Sequence, residues 1–272
     1  MKGLEGLTQE SVRNEHETVL LAIDIGNTNI VFGLFKGEKL FREWRVATDP
    51  HKTSDGYGNL LTDFLSSQQI ALSTINGAVL SSVVPCLTPI FQQVTERTFS
   101  LKAMVVTHSL KTGLKIQCRH PDEVGADRIV NAAAAYHLYG GPVVVVDFGT
   151  ATTFCVVSKE GDYPGGAIVP GLMLSAEALF SHAAKLPRVE LKRPSSVIGK
   201  DTVTSMQSGI IFGYIGLVNE IIKRIHHEIG EKILVVATGG LAGLIASECG
   251  SISKIRPTLT LEGLMIIYKM NQ

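Results

Sequence analysis

Along the chain, aliphatic residues gather into short uninterrupted runs that stop at glycine-bearing turns, the pattern of buried strands. One phrase occurs twice, as LLAIDIGNTNIVFG around Asp24 and VVVVDFGTATTFCVV around Asp147. Each copy is an apolar strand ending in Asp, a small-residue turn and a second apolar strand. After the first copy the pattern predicts strands NIVFGLF and FREWRVAT, joined at Lys36-Gly37-Glu38. A helix from about Asp55 to Ser67 follows, with Leu60, Leu61, Phe64 and Leu65 on one face. The strand GAVLSSVV, a helix begun by Pro85, the strand AMVVTH and the helix GADRIVNAAAAYHLYG complete this half, which closes at Gly140 and Gly141. The second half repeats the meander from PVVVVDFG through GDYPGGAIVPG. It then predicts a helix over LMLSAEALFSHAAKL, a long amphipathic helix from about Thr202 to Ile229, the strand KILVVATGG and two closing helices. Strands alternating with helices make the chain α/β. The repeat divides it into units 18–140 and 141–272, behind a polar segment 1–17 read as a frayed N-terminal extension.

Composition narrows the ligand. With 272 residues, 45% of them hydrophobic, the chain can bury a substantial core, and its 25 basic residues balance 25 acidic ones. Nothing in that balance attracts nucleic acid or anionic lipid, so a small-molecule partner is expected. Cys86, Cys118, Cys155 and Cys249 are scattered, without a C-x-x-C pair or His at ligand spacing, which argues against zinc and a disulfide framework. No signal-peptide core precedes Thr18 and no later apolar run is long enough to span a bilayer, so the expected location is cytoplasmic.

Two acids, each followed by a tight turn, imply two half-sites facing one ligand. Gly26 with Asn27, and Gly149 with Thr150, permit sharp reversals and close approach of backbone N–H groups, while Thr28, Thr150 and Thr152 add hydroxyls able to hold phosphate oxygens. An Asp at the strand end beside such a turn suits Mg2+, which takes one or two carboxylates together with waters and nucleotide phosphates. A single D-x-G is also ordinary hairpin punctuation, but two independent hairpins need not both place Asp after a buried strand. In ILVVATGGLAGLIA, Gly239 and Gly240 lead a strand into a helix, which is either simple helix entry or room for a nucleobase or ribose.

Two acid turns followed by a double glycine resemble the sugar kinase, hsp70 and actin superfamily, in which two ribonuclease-H-like domains clasp ATP. Neither a G-x-x-x-x-G-K-[ST] P-loop nor a G-x-G-x-x-G after a strand is present. Within that superfamily the chain is similar to the type III pantothenate kinases from about Thr18 to Tyr268, through DIGNTN (24–29), SSVVP (81–85), GADR (125–128), DFGTATTF (147–154), GGAIVPG (165–171), IGKDT (198–202), SMQSG (205–209), ATGG (237–240) and LTLEGL (259–264). The resemblance implies an α/β fold of two ribonuclease-H-like, actin-like ATPase domains with a nucleotide cleft between them, and ATP-dependent phosphorylation of pantothenate in coenzyme A biosynthesis. It further implies that Asp24, Ile25, Gly26, Asn27, Thr28, Asn29, Ile30, Val31 and Thr150 bind ATP, and that Gly125, Ala126, Asp127, Arg128 and Thr202 bind pantothenate, with Asp127 as proton acceptor. Asp147 would hold a monovalent cation, K+ or NH4+; Asp24 would serve Mg2+, and Gly239 and Gly240 the adenosine. A homodimer with active sites near its interface is implied as well.

The residue chemistry agrees. Phosphoryl transfer needs positioning, charge neutralisation and a carboxylate to accept the hydroxyl proton, and at a helix start Asp127 can face a cleft while Arg128 pairs with an anion. His226 and His227, beside Lys223 and Arg224, read as a solvated or partner-facing helix face, and Phe41 and Trp44 as core and sheet edge. The helix bearing Gly209, Gly213 and Gly216 is either a dimer seam or a buried intradomain helix. Three positions depart from the family pattern: Cys118 where a tyrosine is common, Cys155 where an aspartate is usual, and Gly56 in place of a glutamate. A kinase for another small alcohol, or a non-enzymatic regulatory accessory factor of the same fold, would share the two turns; Asp127 argues for turnover.

Overall fold

The computed structural model describes residues 18–272, and the N-terminal extension expected over 1–17 lies outside them. The first meander forms β1 (Val19–Ile25), β2 (Asn29–Lys36) and β3 (Lys39–Ala47), followed by α1 (Ser54–Ser67), β4 (Ile75–Ser82), α2 (Leu87–Phe99) and β5 (Met104–Val105). Short β6 (Lys115–Ile116) precedes α3 (Ala126–Tyr139). The second meander comprises β7 (Val143–Phe148), β8 (Ala151–Val157), β9 (Asp162–Tyr163) and β10 (Gly165–Pro170). After α4 (Leu172–His182) and α5 (Thr202–Ile229) come β11 (Leu234–Thr238), the single turn α6 (Ala242–Ile245), β12 (Lys254–Ile255) and α7 (Leu259–Met270).

β6 and β9 pair with each other as a small parallel sheet, and the two five-stranded sheets share one topology. The first runs β3-β2-β1-β4-β5 and the second β10-β8-β7-β11-β12, with β1 and β7 each antiparallel to the next strand and parallel to the crossover strand. Asp24 and Asp147 thus occupy equivalent central strands. Residues of α1 and α2, among them Tyr57, Leu61 and Phe91, pack with Leu21, Ile23 and Ile25 on the outer face of the first sheet. Residues of α5 and α6 cover Val144, Val146 and Val235 on the outer face of the second.

Between the sheets lies a shared core of α3, α7 and the inner faces of both, including Leu20, Ala22, Val143 and Val145. The run Ala132–Ala135 keeps α3 thin, and Gly263 lets α7 press against Val130 and Ala134 at a distance any Cβ would forbid. The C-terminal helix therefore returns to the first sheet, against β1 and β4, while α3 lies against β7 and β8.

Several boundaries differ from the sequence reading. The helix expected at Pro85 begins at Leu87, and the one expected to reach Leu186 ends at His182. β12 carries no pattern signal because it is two residues long. The long helix spans Thr202–Ile229 as expected, started by a capping box between Asp201 and Thr204 and ended by Gly230 at φ +75°. Trp44 stacks on Phe32 and Phe64, with ring centroids 4.8 and 3.6 Å away. Among the described residues no helix is long and apolar enough to cross a membrane.

Candidate active site between the two sheets

Each acid turn is built by its meander and braced from outside. In the first, the Gly26 N–H donates to Asn29 O at 3.0 Å, and the Thr48 hydroxyl donates to Gly26 O at 2.6 Å. In the second, the N–H groups of Gly149 and Gly171 donate to Ala151 O and Thr150 O, at 3.2 and 3.0 Å. The two turns meet: Thr28 Oγ1 and Thr150 Oγ1 are 2.8 Å apart across 122 residues of sequence. Thr152, expected to add a third hydroxyl, is instead buried and bonded to the Tyr214 hydroxyl at 2.7 Å, because β8 alternation turns it into the core.

Three carboxylates from three elements gather near these turns, Asp127 lying close enough for its charge to act on both Asp24 and Asp147. Asp24 on β1 accepts from the Ser81 hydroxyl of β4 at 2.9 Å. Asp147 on β7 accepts from Asn131 Nδ2 of α3 at 2.9 Å, and the Thr260 hydroxyl of α7 fixes that amide by donating to Asn131 Oδ1 at 2.7 Å. Asp127, in the first turn of α3, takes the Arg128 backbone N–H on Oδ1 at 2.7 Å. All three residues keep some open surface, yet the surrounding protein is deep enough to raise their carboxyls. Burial pushes Asp24 up to about 7, aided by the charges of Asp127 and Asp147 and opposed by Ser81 and Arg45. Asp147 likewise rises to about 7 through burial and Asp127, against the Asn131 hydrogen bond. Asp127 is raised by burial, with the Arg128 N–H and guanidinium opposing.

Arg128 has an unexpected partner. Its Nε donates to the buried Cys155 Sγ at 3.4 Å, the Tyr163 hydroxyl donates to the same sulfur at 3.4 Å, and the guanidinium lies over the Tyr163 ring. Cys118 Sγ is 3.9 Å from Tyr163 O, so two family departures surround one tyrosine. Cys155 therefore faces the 125–128 segment rather than the acid turns. Gly56 sits in the first turn of α1, donating its N–H to the Thr53 cap at 3.2 Å.

Gly239 closes the site from the second sheet. Its φ of +93° is left-handed, and a Cβ there would strike Asp147 Oδ1 and the Phe148 backbone. Gly240 follows against Arg45. Beside Asp147 in the sheet register, Thr238 buries a hydroxyl that has no partner among the described residues. Thr202 stands apart, exposed at the start of α5 with no hydrogen bond to the acid cluster among the described residues. Ser81, Asn131 and Thr260 were not among the expected site residues. The usable signal for Asn131 was its position four residues after Asp127, on the same helix face.

The family model described as type III pantothenate kinase matches residues 20–224. A type III pantothenate kinase of Moorella thermoacetica is 53% identical over 253 residues, covering 93% of this chain and all of that protein. Among solved structures, one described as a Baf family transcriptional activator from Campylobacter jejuni superposes with a TM-score of 0.57 at 19% identity, covering 92% of this chain and 98% of that one. Ethanolamine utilization protein EutJ from Carboxydothermus hydrogenoformans gives 0.55 at 15% identity, covering 91% of this chain and 89% of that one. At these identities the likeness speaks for the fold, which is that of the actin-like ATPases and sugar kinases. With its two acid turns in contact and Asp127 near both of their carboxylates, and a relative 53% identical over 93% of this chain, the chain belongs to the type III pantothenate kinase family.

Proposed function

We propose that this protein transfers the terminal phosphoryl group of ATP to the 4′-hydroxyl of pantothenate, giving 4′-phosphopantothenate and ADP in the first step of coenzyme A biosynthesis. The observation that carries the reading is the 2.8 Å approach of Thr28 to Thr150, which joins two phosphate-type turns whose acids both feel the charge of Asp127. In this reading residues 24–31 and Thr150 hold the triphosphate and Gly239–Gly240 the adenosine, while Gly125, Ala126, Arg128 and Thr202 hold pantothenate. Asp127 removes the proton of the attacking hydroxyl as the new P–O bond forms and the bond to ADP breaks. Burial supports that role by making its carboxylate more basic, and the Arg128 N–H occupies Oδ1 so that Oδ2 is left for the hydroxyl. Arg128, with no carboxylate at ion-pairing distance among the described residues, suits the carboxylate of pantothenate.

The donor set fits hard cations. Among the described residues no three His, Cys, Asp or Glu side chains form a metal centre by themselves, and in nucleotide sites phosphates and waters complete the shell of Mg2+. Asp24 would hold Mg2+, and Asp147, with the unpaired Thr238 hydroxyl beside it, a monovalent cation such as K+ or NH4+. Bound there, cations supply positive charge that offsets the carboxylates and the developing phosphate charge.

The lobes that close on the nucleotide are taken as 18–140 and 141–272, with α7 as a strap back to the first sheet. A homodimer is supported by apolar side chains left exposed on and near α4, including Met173, Leu174, Phe180 and Ile198, and by Gly209, Gly213 and Gly216 of α5, which face open space. The reading places the enzyme in the cytoplasm, with neither nucleic acid nor membrane as partner. The test is mass spectrometry of pantothenate incubated with ATP, MgCl2 and protein in K+, NH4+ or Na+ buffer. A phosphomonoester is expected, faster in K+ or NH4+; absence of pantothenate-dependent product overturns the reading.

A further inference from the structure

Arg45 lies outside both acid turns and the 125–128 segment. Strand register nevertheless sets it on the face that carries Asp24. A single row crosses the first sheet as Arg45, Val31, Asp24 and Ser81, so these side chains leave from one face. It is the inner face, since Leu20 and Ala22, which alternate with the outward residues of β1, belong to the core shared with α3 and α7. Two strand spacings, about 10 Å, separate the Arg45 and Asp24 backbones. The guanidinium crosses toward the second sheet, where Nη1 lies 3.1 Å from the point a Cβ on Gly240 would occupy. Arg45 is exposed, and among the described residues its side chain makes no ion pair or hydrogen bond.

The repeat sharpens the contrast. In the second sheet the matching row is Ile168, Thr153, Asp147 and Thr238, so an exposed isoleucine stands where the first sheet has arginine. The half-sites are alike in their acids and differ in this cation. A cleft lined by three carboxylates repels a polyanion unless positive charge is fixed nearby, and a planar guanidinium with free N–H groups matches phosphate oxygens.

We infer that Arg45 is a nucleotide-binding residue that grips the polyphosphate of ATP from the first sheet, opposite the Gly239–Gly240 turn. The inference rests on the ATP reading above and adds to it a residue outside both turns. It is tested by ATP titration calorimetry with Mg2+, and by steady-state KM values for ATP and pantothenate, on wild type, Arg45→Gln and Arg45→Lys. Loss of a charged hydrogen-bonding group should weaken ATP binding and raise its KM on the order of 10- to 100-fold in Arg45→Gln, with partial recovery in Arg45→Lys. The KM for pantothenate and the thermal midpoint should stay at wild-type values. Wild-type ATP affinity in Arg45→Gln overturns the inference and leaves the ATP reading intact. Equal rises in both KM values, or a lowered midpoint, also overturn it by making the role structural. A wild type that fails to bind ATP overturns the underlying reading instead.

Discussion

Neutralising Asp147 should stabilise the ligand-free protein, and more so at alkaline pH. The carboxyl rises from 3.8 to about 7 because burial and Asp127 oppose its charge. A group raised in this way contributes stability that is complete below the unfolded pKa and lost as pH climbs through the folded one. The rise sets a ceiling of roughly 4 kcal/mol, at about 1.36 kcal/mol per tenfold step. Relaxation and water entry reduce that, so about 2 kcal/mol is expected at pH 8. Asp147→Asn keeps the hydrogen bond, since the introduced amide oxygen still accepts from Asn131 Nδ2. For a chain of this size the gain corresponds to a thermal midpoint raised by roughly 4–8 °C. The assay is scanning fluorimetry of both proteins at pH 5 and pH 8, without nucleotide and with a bulky organic cation in place of alkali metal. The gap should be large at pH 8 and clearly smaller at pH 5, which lies early in the window between 3.8 and about 7 over which the stability is lost. A gap that does not change with pH, or a destabilised variant at pH 8, would refute the reasoning.

Thr260→Val removes the donor to Asn131 Oδ1 while keeping shape, and should cost about 1–3 kcal/mol in urea unfolding, with Thr260→Ser recovering most of it. Wild-type stability in the valine variant would contradict the relay. Gly239→Ala puts a methyl group on a φ of +93° against Asp147 and Phe148, and should cost more than about 2 kcal/mol by thermal unfolding. A variant that melts with wild type would show that the turn tolerates a side chain.

Much of this architecture was legible locally. Uninterrupted valines before Asp147, and Val-Leu-Leu-Ala-Ile before Asp24, give central strands covered on both faces, and the repeat of acid and turn gave the matching topology. The small-residue turns likewise pointed to the place where Thr28 meets Thr150. What the pattern could not supply is placement across long sequence separation. Nothing in LTLEGLMIIYKM says that α7 returns to β1 and β4, because its apolar residues suit any inner surface. The Thr260–Asn131–Asp147 relay follows from that return and was invisible for the same reason. Thr152 was misread because a hydroxyl beside a turn looks available until strand alternation assigns it a face. The pairing of Cys155 with Arg128 was equally hidden, since it depends on the close approach of α3 to β8.

The proposed chemistry turns on Asp127 receiving the proton of the attacking hydroxyl. Its most direct measurement is ADP release in a coupled assay, with and without pantothenate, for wild type and Asp127→Asn. Loss of a general base typically costs about 10²–10⁴ in turnover. Wild type should release ADP on addition of pantothenate, and the variant should fall by that factor while still binding ATP. Equal pantothenate-dependent release by both proteins would contradict the account.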